Sequence, residues 1–154
     1  MKVLFISISI ILLLTTFTAC EQQTIPNNNQ ASIDSLKKMI EQLKPGLGEY
    51  MIQIKYHHDE LAKAIAAKDY ARAAYEIDEI KETTEKIQQL NITNDKLQQP
   101  FAFFYDKYLK APLDILAAAA AKKDDATLRT NLVSLTNNCN SCHHENNMSF
   151  MKIQ

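Results

Sequence analysis

From Leu47 onward, apolar positions recur at steps of three and four along the chain. One stripe holds Leu47, Met51, Ile54, His58, Leu61 and Ile65. A second holds Tyr70, Ala73, Ile77, Ile80, Thr84 and Ile87. A third runs through Leu97, Phe101, Phe104, Tyr108, Ala111 and Ile115, and a fourth through Leu128, Leu132, Leu135, Cys139 and Cys142. Such spacing keeps one apolar seam on each of four helices, and four seams close around one core as an antiparallel four-helix bundle. No segment alternates with period two between turn residues, so the expected class is all-α.

Breaks in the pattern mark the joints. Lys68-Asp69, Asn91 to Asn94 and Lys122 to Asp125 separate the four helices, with Asp124 or Asp125 suited to cap the last. Pro100 fits the first turn of the third helix. Pro112 lies inside that helix and predicts a kink or a split, because its ring removes an amide donor and crowds the preceding turn. Upstream, Ser32 can cap a short extra helix ending at Lys44, with Leu36, Met39, Ile40 and Leu43 on one side. Pro45, Gly46 and Gly48 then punctuate the chain.

The amino terminus has a different character. Lys2, an apolar run from Val3 to Leu14, and small or hydroxyl residues up to Ala19 read as a secretory signal peptide over 1–19. The run is too short for a comfortable membrane span of about 20 residues. Phe17-Thr18-Ala19-Cys20 resembles a bacterial lipoprotein box, in which Cys20 becomes the lipidated first residue of the mature chain. Residues 20–31 are polar, with Pro26 and three consecutive asparagines, and read as a flexible tether to a domain over 32–154. The core bundle is expected at about 47–146.

Composition narrows the function classes. Two glycines, four prolines and no tryptophan among 154 residues suit a helical protein. A formal charge of −1 leaves no basic excess for nucleic acid. Neither G-x-S-x-G nor H-E-x-x-H nor a phosphate loop is present, so no enzyme activity is expected.

The chemistry concentrates near the carboxyl end, in Cys139-Asn140-Ser141-Cys142-His143. C-x-x-C-H is the attachment signature of c-type haem. Two thiols three residues apart share a helical face and can reach the two vinyl groups on one porphyrin edge, while the adjacent imidazole reaches the iron. Cys20, Cys139 and Cys142 are the three cysteines of the chain, which leaves none for a structural disulfide. A zinc-stabilised helical module using the two cysteines and two histidines is an alternative, weakened by the missing second ligand pair at separate spacing. An exported thiol–disulfide protein is another, although there the motif would open a helix rather than end one.

A four-helix bundle with C-x-x-C-H on its last helix resembles the cytochrome c-prime family, and the related bundle cytochromes that bind haem without thioethers. The resemblance covers about Leu47 to the end. It rests on Cys139, Cys142 and His143, the helix periodicity, and the Pro112-containing third helix running into the motif helix. It implies one covalent haem c between helices at one end of the bundle, with His143 as proximal iron ligand. Family members differ on the opposite face of the iron, where a residue early in the first bundle helix approaches. Met51 matches that location, and His58, two turns on along the same seam, is the alternative. A His/Met site favours electron transfer, whereas a vacant sixth position favours binding of nitric oxide or carbon monoxide.

The plainer roles are core filling for Met51 and a buried, hydrogen-bonded imidazole for His58. His57 and His144 are expected to be solvated. Phe101, Phe103, Phe104, Tyr105 and Tyr108 can wall a haem pocket or simply fill the core. Asp78, Glu79, Lys81, Glu82, Glu85 and Lys86 form a charged helix face open to a redox partner. The expected protein is therefore an electron carrier, with haem-based gas binding as the alternative. It would sit on the periplasmic side of a bacterial membrane, anchored through Cys20. Its partners would be a redox protein or a small gas, with a homodimer as an admissible assembly.

Overall fold

The computed structural model describes residues 27–92 and 94–154. The expected signal peptide, Cys20 and the first part of the tether lie outside them. Among the described residues the regular structure is entirely helical. Helix α1 is Asn27–Leu43, α2 Leu47–Ala66, α3 Tyr70–Gln89 and α4 Phe101–Phe104. A π-helical turn, Tyr105–Leu109, leads into α5 at Lys110–Lys122, and α6 is Asp125–Glu145. The chain divides between Lys44 and Pro45 into two units. Helix α1 starts at Asn27 rather than near Ser32, so the last positions of the expected tether are helical.

Within Pro45–Gln154, α2 packs along α3, α3 along α5, α5 along α6, and α6 lightly against α2, an arrangement compatible with a helical bundle. Leu61, Ile77, Ile80, Leu113, Leu116, Leu128 and Leu135 are buried at its centre. All but Leu113 and Leu116 are apolar positions of the sequence stripes, and each is removed from water at roughly 1.5–3 kcal/mol.

The ends of α2, α3, α5 and α6 share one device. Lys68, Asn91, Lys123 and Asn147 adopt positive φ, 46–60°. Each time the following amide reaches back five residues: Asp69 to Ala64 (2.9 Å), Ile92 to Ile87 (3.0 Å), Asp124 to Ala119 (2.9 Å) and Met148 to His143 (2.7 Å). This satisfies carbonyls that the helix leaves open, with lysine and asparagine where glycine is usual. Two of the turns start the next helix at once. Asp69 accepts the Arg72 amide at 3.0 Å and Asp124 the Thr127 amide at 3.1 Å, each closing an N-terminus.

The third seam departs from the expected positions. Phe101 and Phe104 are buried as predicted, but beyond them Leu109, Pro112, Leu113 and Leu116 point inward, while Ile115 is 45 % exposed. The π-helical turn is the reason. The Lys110 amide bonds the Tyr105 carbonyl, five residues back, so one extra residue enters the turn and the seam moves on by one. Pro112 contributes by lacking the amide that would pair with Tyr108. The Tyr108 carbonyl instead accepts the side-chain amide of Asn138 from α6 at 2.8 Å.

Candidate functional site

Helix α6 carries the C-x-x-C-H residues in its last two turns. Leu128 and Leu135 bury its inner side, and Cys139 continues that side, packed against the core. Both Cys139 and Cys142 are free thiols. Burial, with the neighbouring Cys142 adding to it, pushes the Cys139 thiol up to about 12. Burial, and then the Glu145 charge, pushes Cys142 up to about 11. The pair is therefore protonated at neutral pH and a poor disulfide-exchange nucleophile. Its place at the negative end of a helix adds to that.

His143 is held from outside the helix. Its Nδ1 lies 2.6 Å from the Met151 carbonyl oxygen. A carbonyl only accepts, so Nδ1 carries the hydrogen and Nε2 keeps its lone pair for a metal. Orienting a ligating imidazole through its other nitrogen is the usual arrangement in metal sites. The residues present thus fit an attached haem: two thiols on one face and a histidine in the metal-binding tautomer.

Asparagines fasten the surroundings. Asn140 donates to the Ile153 carbonyl and accepts the Ile153 amide, both at 2.9 Å. Asn146 is buried, donates to the Cys142 carbonyl at 2.8 Å, and accepts the Gln98 amide at 2.8 Å from the segment before α4. Glu145 receives Lys107 Nζ at 2.7 Å and the Tyr108 hydroxyl; both hold its carboxyl below the usual range, Lys107 the more strongly. An open surface cleft of about 530 Å³, lined by Tyr108, Asn140, Ser141, His144 and Glu145, lies on the neighbouring face of α6. From sequence these asparagines carry no assigned role, although Asn137, Asn138, Asn140, Asn146 and Asn147 crowd the motif.

On α2, Met51 is half-buried and packs against the core. His58 is only 3 % exposed, and its Nε2 lies 2.8 Å from the Thr136 hydroxyl of α6. Thr136 donates its hydrogen to the Leu132 carbonyl at 3.0 Å, so His58 Nε2–H must be the donor between them. Nδ1 faces Asp59 Oδ1 at 3.5 Å without a hydrogen bond. Burial lowers the pKa of His58, outweighing the opposing pull of Asp59. A second link, from Arg129 to the Ile65 carbonyl at 3.3 Å, fixes the register of the two helices. Seven residues back along α2, from Ile65 to His58, correspond to seven forward along α6, from Arg129 to Thr136.

His57 is not solvated as expected. Its Nδ1 lies 2.7 Å from a carboxylate oxygen of Glu76, which is 1 % exposed and also receives Arg72. Burial raises the Glu76 carboxyl, but hydrogen bonds from His57 and Arg72 prevail and hold it below its usual range. His144 is exposed, as expected. The aromatic group divides: Phe101 and Phe104 are buried, while Phe103 is exposed and packs its ring edge-on against Phe104 at 5.3 Å.

Among the described residues no three His, Cys, Asp or Glu side chains assemble as a metal-holding group, and no helix is long and apolar enough to cross a membrane. Cys20 lies outside them. Comparison with family models, with curated proteins and with solved structures finds no match to this chain.

Proposed function

We propose that the chain is an exported c-type haem protein that carries electrons outside the cytoplasm, built as an antiparallel four-helix bundle and anchored through a lipid on Cys20. The carrying observation is His143: it ends a C-x-x-C-H helix and spends Nδ1 on the Met151 carbonyl, leaving Nε2 for iron. Cys139 and Cys142 would hold the haem through thioethers, each thiol adding its sulfur and its hydrogen across one vinyl group, so that no oxidant would be consumed. Bound haem supplies a one-electron ferric/ferrous couple.

Met51 is the sixth ligand in this reading. Carried one further seven-residue step from the His58–Thr136 pair, the same register would set Met51 opposite His143. His58 is less suited, because its Nε2 is committed to Thr136. The high thiol pKa values speak against a thiol–disulfide protein. Haem-based gas binding with an open sixth position is the second reading, favoured by the packing of Met51 against the core.

The test is covalent attachment. Expressed with haem-maturation machinery, the protein should gain one haem in intact mass and keep its colour after denaturation. Cys139→Ala with Cys142→Ala should abolish that retention. Recovery of a colourless protein carrying stoichiometric zinc would overturn the proposal.

A further inference from the structure

The residues after α6 return along it. Met148 bonds back to His143, Asn147 takes positive φ (60°), and the Met151 amide donates to the Met148 carbonyl at 2.9 Å. Two bonds between Asn140 and Ile153 then pin the end of this strap to α6, at a position inside the C-x-x-C-H pentad. Between the two fastenings the Met151 carbonyl is presented to His143 Nδ1. No residue from Asn147 to Gln154 is buried, so the strap adds nothing to the core.

We infer that the strap Met148–Gln154, clamped by Asn140, is a positioning device that fixes the Nδ1–H tautomer of His143 and presents Nε2 as an electron-rich ligand. The inference rests on the haem reading for its consequence, though not for its geometry. A carbonyl accepting from Nδ1 makes the imidazole a stronger donor and stabilises ferric iron, which lowers the reduction potential. Asn140 acts through the strap, so its loss and the loss of the strap should be the same perturbation.

The experiment compares the wild type with Asn140→Ala, with a chain ending at Asn147, and with the two changes combined. In the haem-free full chain, nitrogen-15 spectra of the His143 ring should show hydrogen on Nδ1 in the wild type, and loss of that preference in all three variants. In the haem-loaded protein the potential should rise equally in both single variants and no further in the combination, since the two changes remove one interaction. Asn140→Asp, which keeps an acceptor for the Ile153 amide, should fall between the wild type and Asn140→Ala. Circular dichroism matched to the wild type guards against simple misfolding. A wild-type ring protonated on Nε2, or variants with wild-type tautomer and potential, would overturn the strap. A chain that never takes up haem would overturn the functional reading instead, while the tautomer measurement still decides the strap.

Discussion

At the scale of single residues, two side chains on the inner seam of α2 separate an electron carrier from a gas binder. If Met51 binds iron, the ferric protein is low spin with weak sulfur-to-iron absorption, and carbon monoxide binds slowly or not at all. Met51→Ala should then give a high-spin iron of lower potential, because a ligand favouring ferrous iron is gone. If Met51 only packs, the wild type is already high spin, and the substitution costs about 2 kcal/mol through the cavity it leaves. Optical spectra of both proteins with and without carbon monoxide decide between these outcomes. A conversion produced by His58→Ala and not by Met51→Ala would assign the sixth position to His58. His58 also carries a pH signature. Its folded pKa is depressed by burial, so below about 6.5 the unfolded chain binds more protons than the folded one. Its contribution to stability is full above that pH and is lost as the pH falls below it. His58→Gln keeps a donor for Thr136 but cannot titrate, so its urea midpoint should change less between pH 7.5 and 5.5 than that of the wild type. Parallel curves would show that His58 titrates alike in both states. The carboxylates held low, Glu76 and Glu145 among them, lose their contribution only at lower pH.

At the scale of elements, the π-helical turn is where local chemistry redirects a whole helix. Pro112 removes a donor, Tyr108 is left with an open carbonyl, and Asn138 closes it from α6. Asn138→Ala should leave that carbonyl unpaired in a half-buried setting and cost about 1–3 kcal/mol. Asn138→Asp, which retains the shape but offers no donor there, should cost at least as much. Denaturant unfolding checks both, and wild-type stability in either would mean that water replaces the bond. The same element marks where reading the sequence stopped working. Strict three–four spacing located the inner faces of α2, α3 and α6, because an uninterrupted α-helix keeps its period and Leu61, Ile77 and Leu128 fall where it puts them. Past Phe104 the period was carried straight on to Tyr108, Ala111 and Ile115. The extra residue turned the helix and buried Leu109, Leu113 and Leu116 instead. Pro112 signalled a disturbance, but nothing in its spacing told a kink from a shift of register. The inward side of α6 was legible as far as Cys139 because the fourth stripe keeps its period along an uninterrupted helix. The strap was not, since its contact with His143 runs through a backbone carbonyl that any residue supplies.

At the scale of the whole molecule, the chain divides into two compact units between Lys44 and Pro45. None of the described side chains of α1 is buried, and Leu36, Met39, Ile40 and Leu43 are exposed. A chain beginning at Pro45 keeps every buried core residue from Leu47 to Leu135. It should therefore unfold cooperatively at a midpoint within about 0.5 kcal/mol of the full mature chain, and should retain haem as well. Loss of the cooperative transition would make α1 part of the fold. The anchor can then be located by fractionation. If Cys20 is lipidated as proposed, the wild type should stay in the membrane fraction, since two or more acyl chains give stable attachment where one is marginal. Cys20→Ser should release the protein or block its processing, and the chain from Pro45, exported behind an unrelated signal, should be soluble. If Cys20→Ser is processed but still pellets with membranes while the shorter chain does not, the attachment lies in the intervening residues. The exposed apolar side of α1 would then be the surface to alter next, and Leu36→Glu with Ile40→Glu should free the protein.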